Sequence, residues 1–266
     1  QQTVTGWVYE MDGYELPAAD VYIIGSDGTN RHSSVKSDGS FTFVATPGTD
    51  YIMLASCKGF LNAKGEIAIP DSVQESEDYV LQFPLAALNV PTLIANIFYD
   101  YGKATLRPES GAALDSLAEM LKQNPNVTIE LSSHCDFRGS AEFNKTLSQK
   151  RAESVVSYRI GKGIAPDRMT PVGYGKDKPQ TIRKRLAKRY PWLKNGDVLT
   201  EEFITALKDE KKQEIFNEMN RRTEFMVLRT TYNMFDEKGN LKNPPPKKPQ
   251  ETETTDEDGF LDLDIE

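Results

Sequence analysis

SSHCDFRGSAEFNKTLSQKRAESV, residues 132–155, closes a strand-like run and opens a helix, and its reading decides the fold. Leu147, Arg151 and Val155 are spaced by four, so they share one side of an α-helix. Arg151 therefore stands on the inward stripe, where a charge needs a partner charge, a ligand or both. Fifteen residues earlier, Asp136 ends the strand-like run. Asn144 lies seven residues before Arg151, on the same helix face.

Working outward, VTIELSS (127–133) alternates Val127, Ile129 and Leu131 on one face, as a half-buried strand does. Ser140 is placed to cap the next helix and Glu142 suits its dipole; the helix is expected to run to about Lys162 and end at Gly163. Upstream, LIANIFYDYG predicts a strand. LRPESGAALDSLAEMLKQNP predicts a helix with a Leu114, Leu117 and Leu121 stripe, stopped at Asn124-Pro125. Downstream, RMTPVGYG and TEFMVLRTT predict further strands. The long segment between them, 178–216, reads as an insert with two helical stretches, RKRLAKRYPWLK and LTEEFITALKDEKKQEIFNEM, the second opened by Thr200 and its following glutamates.

The first 69 residues read differently. TVTGWVYE, ADVYIIGS, SFTFVA and YIMLASC are strand-like, and Asp-Gly and Pro-Gly turns separate them, which predicts a small β-sandwich. The Asp-Gly pairs are hairpin turns, since they lack the ligand count of a calcium loop. Residues 70–90 read as a connector ending in a short strand. The expected organisation is two domains: an all-β sandwich (prealbumin/Ig-like) over 1–88 and an α/β (α+β) domain over 89–235, with the insert at 178–216. A Pro-rich, then acidic, disordered tail is expected over 236–266.

Composition narrows the function. The 266 residues carry a net charge of −8, and ETETTDEDGFLDLDIE at the end is acidic with no basic residue. No apolar run reaches the roughly 18–20 residues that span a bilayer, so no transmembrane segment is expected. The N-terminal QQTVTGWVYE has neither a basic nor an apolar leader region, so no signal peptide is expected there; the chain is a mature form or an excised piece. Cys57 and Cys135 are too far apart for a disulfide scaffold, and His32 and His134 do not form a zinc pattern with them. RKRLAKRYPWLK is basic, but no recognition motif accompanies it, so nucleic acid is not an expected partner. No nucleophile, metal site or acid–base pair assembles, which argues against an enzyme and against any cofactor. A His134-Cys135 nucleophile fails because neighbours on a strand face opposite ways.

The strand–loop–helix corner should bring Asp136 and Arg151 together, with Asn144 beside them. A carboxylate binds an ammonium, and a guanidinium grips a carboxylate through two parallel hydrogen bonds. The pair thus suits a zwitterion such as a free amino-acid end. The alternative is a plain Asp136–Arg151 salt bridge tying loop to helix, in a protein that serves only as a scaffold.

These residues resemble the signature of the OmpA-like C-terminal domain: Asp136, Gly139, Asn144, Leu147, Ser148, Arg151, Ala152 and Val155 fill its pattern in order. IFYDYGKATLRPE, VGYGKDKP and NRRTEFMVL resemble its flanking elements, over about residues 92–232. The resemblance implies non-enzymatic binding of peptidoglycan through the diaminopimelate of the stem peptide, with Asp136 taking its ammonium and Arg151 its carboxylate. Cys135 stands where the family has Thr, so a polar ligand contact is expected to be lost. Some relatives carry an acidic residue where this chain has Tyr101-Gly102, and Asp100 is expected to substitute; Leu147 completes the expected lining. TVTGWVYEMDGYELPAADVYIIGSDG and KSDGSFTFVATPGTDYIMLASCKGF are similar to the carboxypeptidase regulatory-like sandwich, around Gly6, Val8, Leu16, Pro17, Ala18, Ala19 and Val21. The tandem is similar to periplasmic lipoproteins of Bacteroidota that link type IX secretion to the cell wall. It implies a place in the periplasm, at the outer membrane and peptidoglycan, with envelope protein partners.

Overall fold

The computed structural model describes residues 1–11, 13–72 and 75–242. Its N-terminal part runs β1 (Gln2–Glu10), β2 (Asp20–Gly25), β3 (Asn30–Ser34), β4 (Ser40–Ala45), β5 (Asp50–Ser56), β6 (Ala63–Ala68) and β7 (Glu77–Leu85). These form two sheets, ordered β4-β1-β7 and β3-β2-β5-β6. Alternate residues of both, among them Val4, Val8, Ile23, Phe43, Tyr51, Met53 and Phe83, bury into one shared core, as period-two patterning requires. The connector expected over 70–90, ending in a short strand, instead holds a long one in its middle: β7 pairs in parallel with β1 along nine residues. Pro84 hid it, yet β7 is an edge strand, where a missing N–H is tolerated.

The second part runs β8 (Thr92–Leu93), α1 (Gly111–Gln123), β9 (Thr128–His134), α2 (Ala141–Ile160), β10 (Met169–Gly175), α3 (Lys184–Arg189), α4 (Glu201–Thr205), α5 (Glu210–Asn220) and β11 (Arg222–Arg229). The sheet order is β10-β9-β11-β8, with β10 parallel to β9 and β11 antiparallel to it. One face of this sheet, through Ile129, Leu131, Phe225 and Val227, shares a core with Leu114, Leu117 and Leu121 of α1 and Val155 and Val156 of α2. LIANIFYDYG forms far less strand than expected. Asn96 turns the chain with a positive φ, and Phe98 gives its N–H to the Ser110 hydroxyl rather than to a ladder. Residues 99–106 then close a hairpin through a Tyr99–Leu106 bridge.

Ser140 caps α2 through the N–H of Phe143, as its position predicts. The insert holds its own small core of Ile182, Leu193, Leu199, Ile204 and Phe216. Its second helical stretch is split in two because Asp209 caps a fresh helix, accepting from the N–H groups of Lys211 and Lys212. Among the described residues, 233–242 belong to a separate unit. Residues 236–242, expected to be disordered, form a turn: Asp236 accepts from the N–H groups of Lys238 and Asn240, and Phe235 bridges Leu241. The rest of the expected tail, 243–266, lies outside the described residues.

Arg159 of α2 is 0 % exposed, and none of its three guanidinium nitrogens finds a hydrogen-bond partner. Burial pushes its pKa below the ordinary arginine range, against the opposing charge of Asp115 and the Tyr158 ring, 5.2 Å from the guanidinium carbon. An uncompensated buried charge is costly, and a hydrophobe of similar length removes that cost. Arg159→Met is therefore expected to stabilise the protein by about 1–3 kcal/mol; a urea midpoint that falls would contradict this.

Candidate functional site

The corner between β9 and α2 is set by close backbone approach. A Cβ on Gly173 would lie 2.1 Å from the Gln149 nitrogen and 2.5 Å from its Cα. The bare strand instead lets Gly173 N–H donate to the Gln149 side chain (2.8 Å) and Gly175 N–H to the Ser148 hydroxyl (2.8 Å). The first half of α2 is thereby pressed onto β10, and the loop from Asp136 to Ser140 is folded over it.

Asp136 is buried at the end of this loop. Its Oδ1 accepts from the backbone N–H of Arg138 (2.9 Å), and its Oδ2 accepts from the guanidinium groups of Arg138 and Arg221 (2.6 Å each). The same two arginines donate to Glu214 of α5, at 3.1 and 2.8 Å. Asp136, Arg138, Glu214 and Arg221 thus close a four-membered ionic ring between the loop, α5 and the residue that ends α5. Burial alone would raise the Asp136 pKa, but the Arg138 and Arg221 hydrogen bonds outweigh it and hold the carboxyl below its ordinary value.

Arg151 is not in that ring, so the plain Asp136–Arg151 salt bridge does not form. Its Nε donates to the Lys103 carbonyl (2.9 Å), and its guanidinium carbon sits 4.8 Å from the centre of the Tyr99 ring. Tyr99 and Lys103 belong to the 99–106 hairpin, which draws Arg151 away from Asp136. Its other two guanidinium nitrogens meet no acceptor among the described residues. Burial lowers its pKa from the ordinary arginine value, and the Asp136 charge opposes that.

The remaining expected residues divide. Asn144 is buried and donates to the carbonyls of Arg138 (2.8 Å) and Asp136 (3.4 Å), so it shapes the loop. The Cys135 thiol is also buried and donates to the Asn144 carbonyl (3.5 Å), facing α2. Leu147 is half-buried. Asp100 and Tyr101 are exposed at the hairpin tip beside Gly102, whose φ of 65° allows the turn; no ion pair joins Asp100 to Arg151. Arg138, Arg221 and Glu214 escape sequence reasoning. Only the two-residue step from Asp136 to Arg138 was a local signal. No group of three or more His, Cys, Asp or Glu among the described residues could hold a metal.

With this geometry in place, residues 98–190 match the OmpA family. They form an OmpA-family domain. The chain is 38% identical to outer membrane protein P5 of Haemophilus influenzae over 90 residues, 34% of this chain and 26% of that protein. It is 35% identical to a peptidoglycan-associated lipoprotein of Rhizobium meliloti over 86 residues, 32% of this chain and 49% of that one. Among solved structures, the peptidoglycan-associated lipoprotein of Burkholderia pseudomallei is 24% identical, with a TM-score of 0.36, over 50% of this chain and 88% of that one. The chain spans about a quarter to a half of the length of these two curated relatives. No helix among the described residues is long and apolar enough to cross a membrane.

Proposed function

We propose that the OmpA-family domain binds peptidoglycan non-covalently and anchors an outer-membrane or periplasmic assembly to the cell wall. The observation that carries this is the Arg151 guanidinium: half-buried, held by Tyr99 and Lys103, with two nitrogens left unclaimed and the Asp136 charge acting on it from across the corner. The name of the Rhizobium relative supports the ligand class. The ligand is the diaminopimelate of a stem peptide, whose carboxylate meets Arg151 in a two-pronged hydrogen bond. Asp136 spends one acceptor position on Oδ1 and two on Oδ2; a carboxylate offers about four, which leaves room for the ammonium. A cross-linked stem has lost that ammonium, so uncross-linked stems are preferred. The N-terminal sheets act as a spacer or docking module, and the resemblance of the tandem makes type IX secretion the assembly. No catalytic step is involved.

Calorimetry with a muropeptide bearing free diaminopimelate tests the reading. Asp136→Asn keeps the shape and removes the charge, and a loss of affinity of roughly 10–100-fold is expected, with the melting curve checking that the fold persists. Undetectable binding by the wild type would instead favour the ionic ring as a purely structural device in a protein scaffold. Equal affinity for a diaminopimelate-acylated peptide would remove the preference for uncross-linked stems.

A further inference from the structure

We propose that the cavity on the face of the α/β sheet opposite α1 and α2 is a second binding site, for a small molecule carrying a carboxylate or phosphate on an apolar body. The sheet's even-numbered positions point away from α1 and α2, and Glu130, Ser132, His134, Tyr174, Arg222 and Glu224 floor a cavity of about 610 Å³ there. That volume is in the range of small-molecule sites. Segment 178–189 of the insert roofs it, and Pro91, Leu93, Leu186 and Met226 supply apolar wall. Neither Asp136 nor Arg151 lines it, so it is distinct from the wall-binding corner and does not rest on that reading.

Two observations indicate a ligand. First, two side chains that line the cavity carry buried polar atoms left without a partner. His134 is 2 % exposed; its Nε2 lies 3.2 Å from the Ser132 hydroxyl and the Lys178 backbone faces the ring, but its Nδ1 lacks a well-formed hydrogen bond, as does the Gln180 Oε1. Such groups cost free energy until something pairs with them. Second, the charge of the lining is unbalanced toward cations. Glu130 is engaged by the Tyr174 hydroxyl (2.7 Å) and Glu224 by Arg222. Arg185 and Arg189 therefore stand exposed at the lining with no carboxylate partner among the described residues. Guanidinium groups grip carboxylate and phosphate in the same planar geometry, so the anion meets these two while the apolar body lies over Leu93 and Met226.

The chain has two histidines, which makes His134 a reporter and His32, on β3, an internal control. Titration of the whole chain with phenyl phosphate, benzoate and neutral benzyl alcohol, followed by the histidine ring signals in NMR, tests the site. A saturable shift of His134 alone is expected, half-complete near about 1 mM, for at least one of the two anions; the tighter one identifies phosphate or carboxylate as the natural group. In Arg185→Gln/Arg189→Gln, two exposed positions whose change leaves the fold intact, affinity should fall roughly tenfold or more, with muropeptide affinity unchanged. Equal shifts from benzyl alcohol, no saturation by either anion, or undiminished affinity in the double variant would each overturn the proposal.

Discussion

Gly173→Ala should be among the most destabilising single-methyl additions in the protein. The new Cβ would lie 2.1 Å from the backbone nitrogen of Gln149 and 2.6 Å from the Ser148 carbonyl carbon. Backbone cannot swing aside as a side-chain tip can, so α2 must lift from β10. That breaks the hydrogen bonds from Gly173 to Gln149 and from Gly175 to Ser148. A cost of about 3 kcal/mol or more is expected, the upper range for overpacking. Gly111→Ala is the matched control. It opens α1 with a helical φ of −54°, and a Cβ there meets nothing within 4 Å, so a gain of about 0.5–1 kcal/mol is expected. Urea unfolding of both variants separates the two sites. Similar midpoints for them would show that the close approach of β10 and α2 carries no weight.

The second large effect is acid sensitivity through His134. Burial chiefly, then the positive charges of Arg222 and Lys178, lower its pKa to about 3 against a contribution in the other direction from the Lys178 backbone. Glu224, 3.8 Å from Nε2, and Tyr174, stacked at 5.3 Å, also face the ring. The unfolded chain takes up a proton near pH 6.5 while the folded chain does not. Folded stability is therefore complete above that pH and falls as the pH drops toward 3. The loss should reach about 2 kcal/mol by pH 5, where carboxylates contribute little. His134→Gln should flatten the urea-midpoint profile between pH 8 and 5. An unchanged slope in the variant would mean that the ring is protonated in the folded protein. The Asp136 carboxyl acts lower on the scale. Its lowered pKa adds stability above the ordinary carboxylate range, lost as the pH falls through its folded value.

Both effects turn on contacts of different legibility. The strand 128–134, the cap at Ser140 and the inward stripe of α2 follow from spacing, because they are local. The partners of Asp136 do not. Arg221 lies 85 residues away, and Glu214 belongs to an insert whose docking no periodicity announces. VGYG reads as a strand, but the need for its glycines appears only when α2 lies against it. β7 was obscured by one proline that its edge position excuses. The buried Arg159 and the cavity above His134 carry no sequence signal, since both arise from faces assembled across several elements.

The passage from β7 into the second core is stitched rather than slack. Met11 donates to the Leu85 carbonyl (3.0 Å), Leu61 to that of Ala86 (2.9 Å), and Leu88 to that of Gly59 (2.9 Å). Leu88 also bridges Val227 of β11, and the Lys184 N–H reaches the Tyr14 hydroxyl (2.7 Å). Leu61 and Ala86 are themselves part of the second core. A loose string between two modules sets only the greatest distance between what they hold. A welded elbow sets both the distance and the angle, and it passes a pull on one arm to the other without first taking up slack.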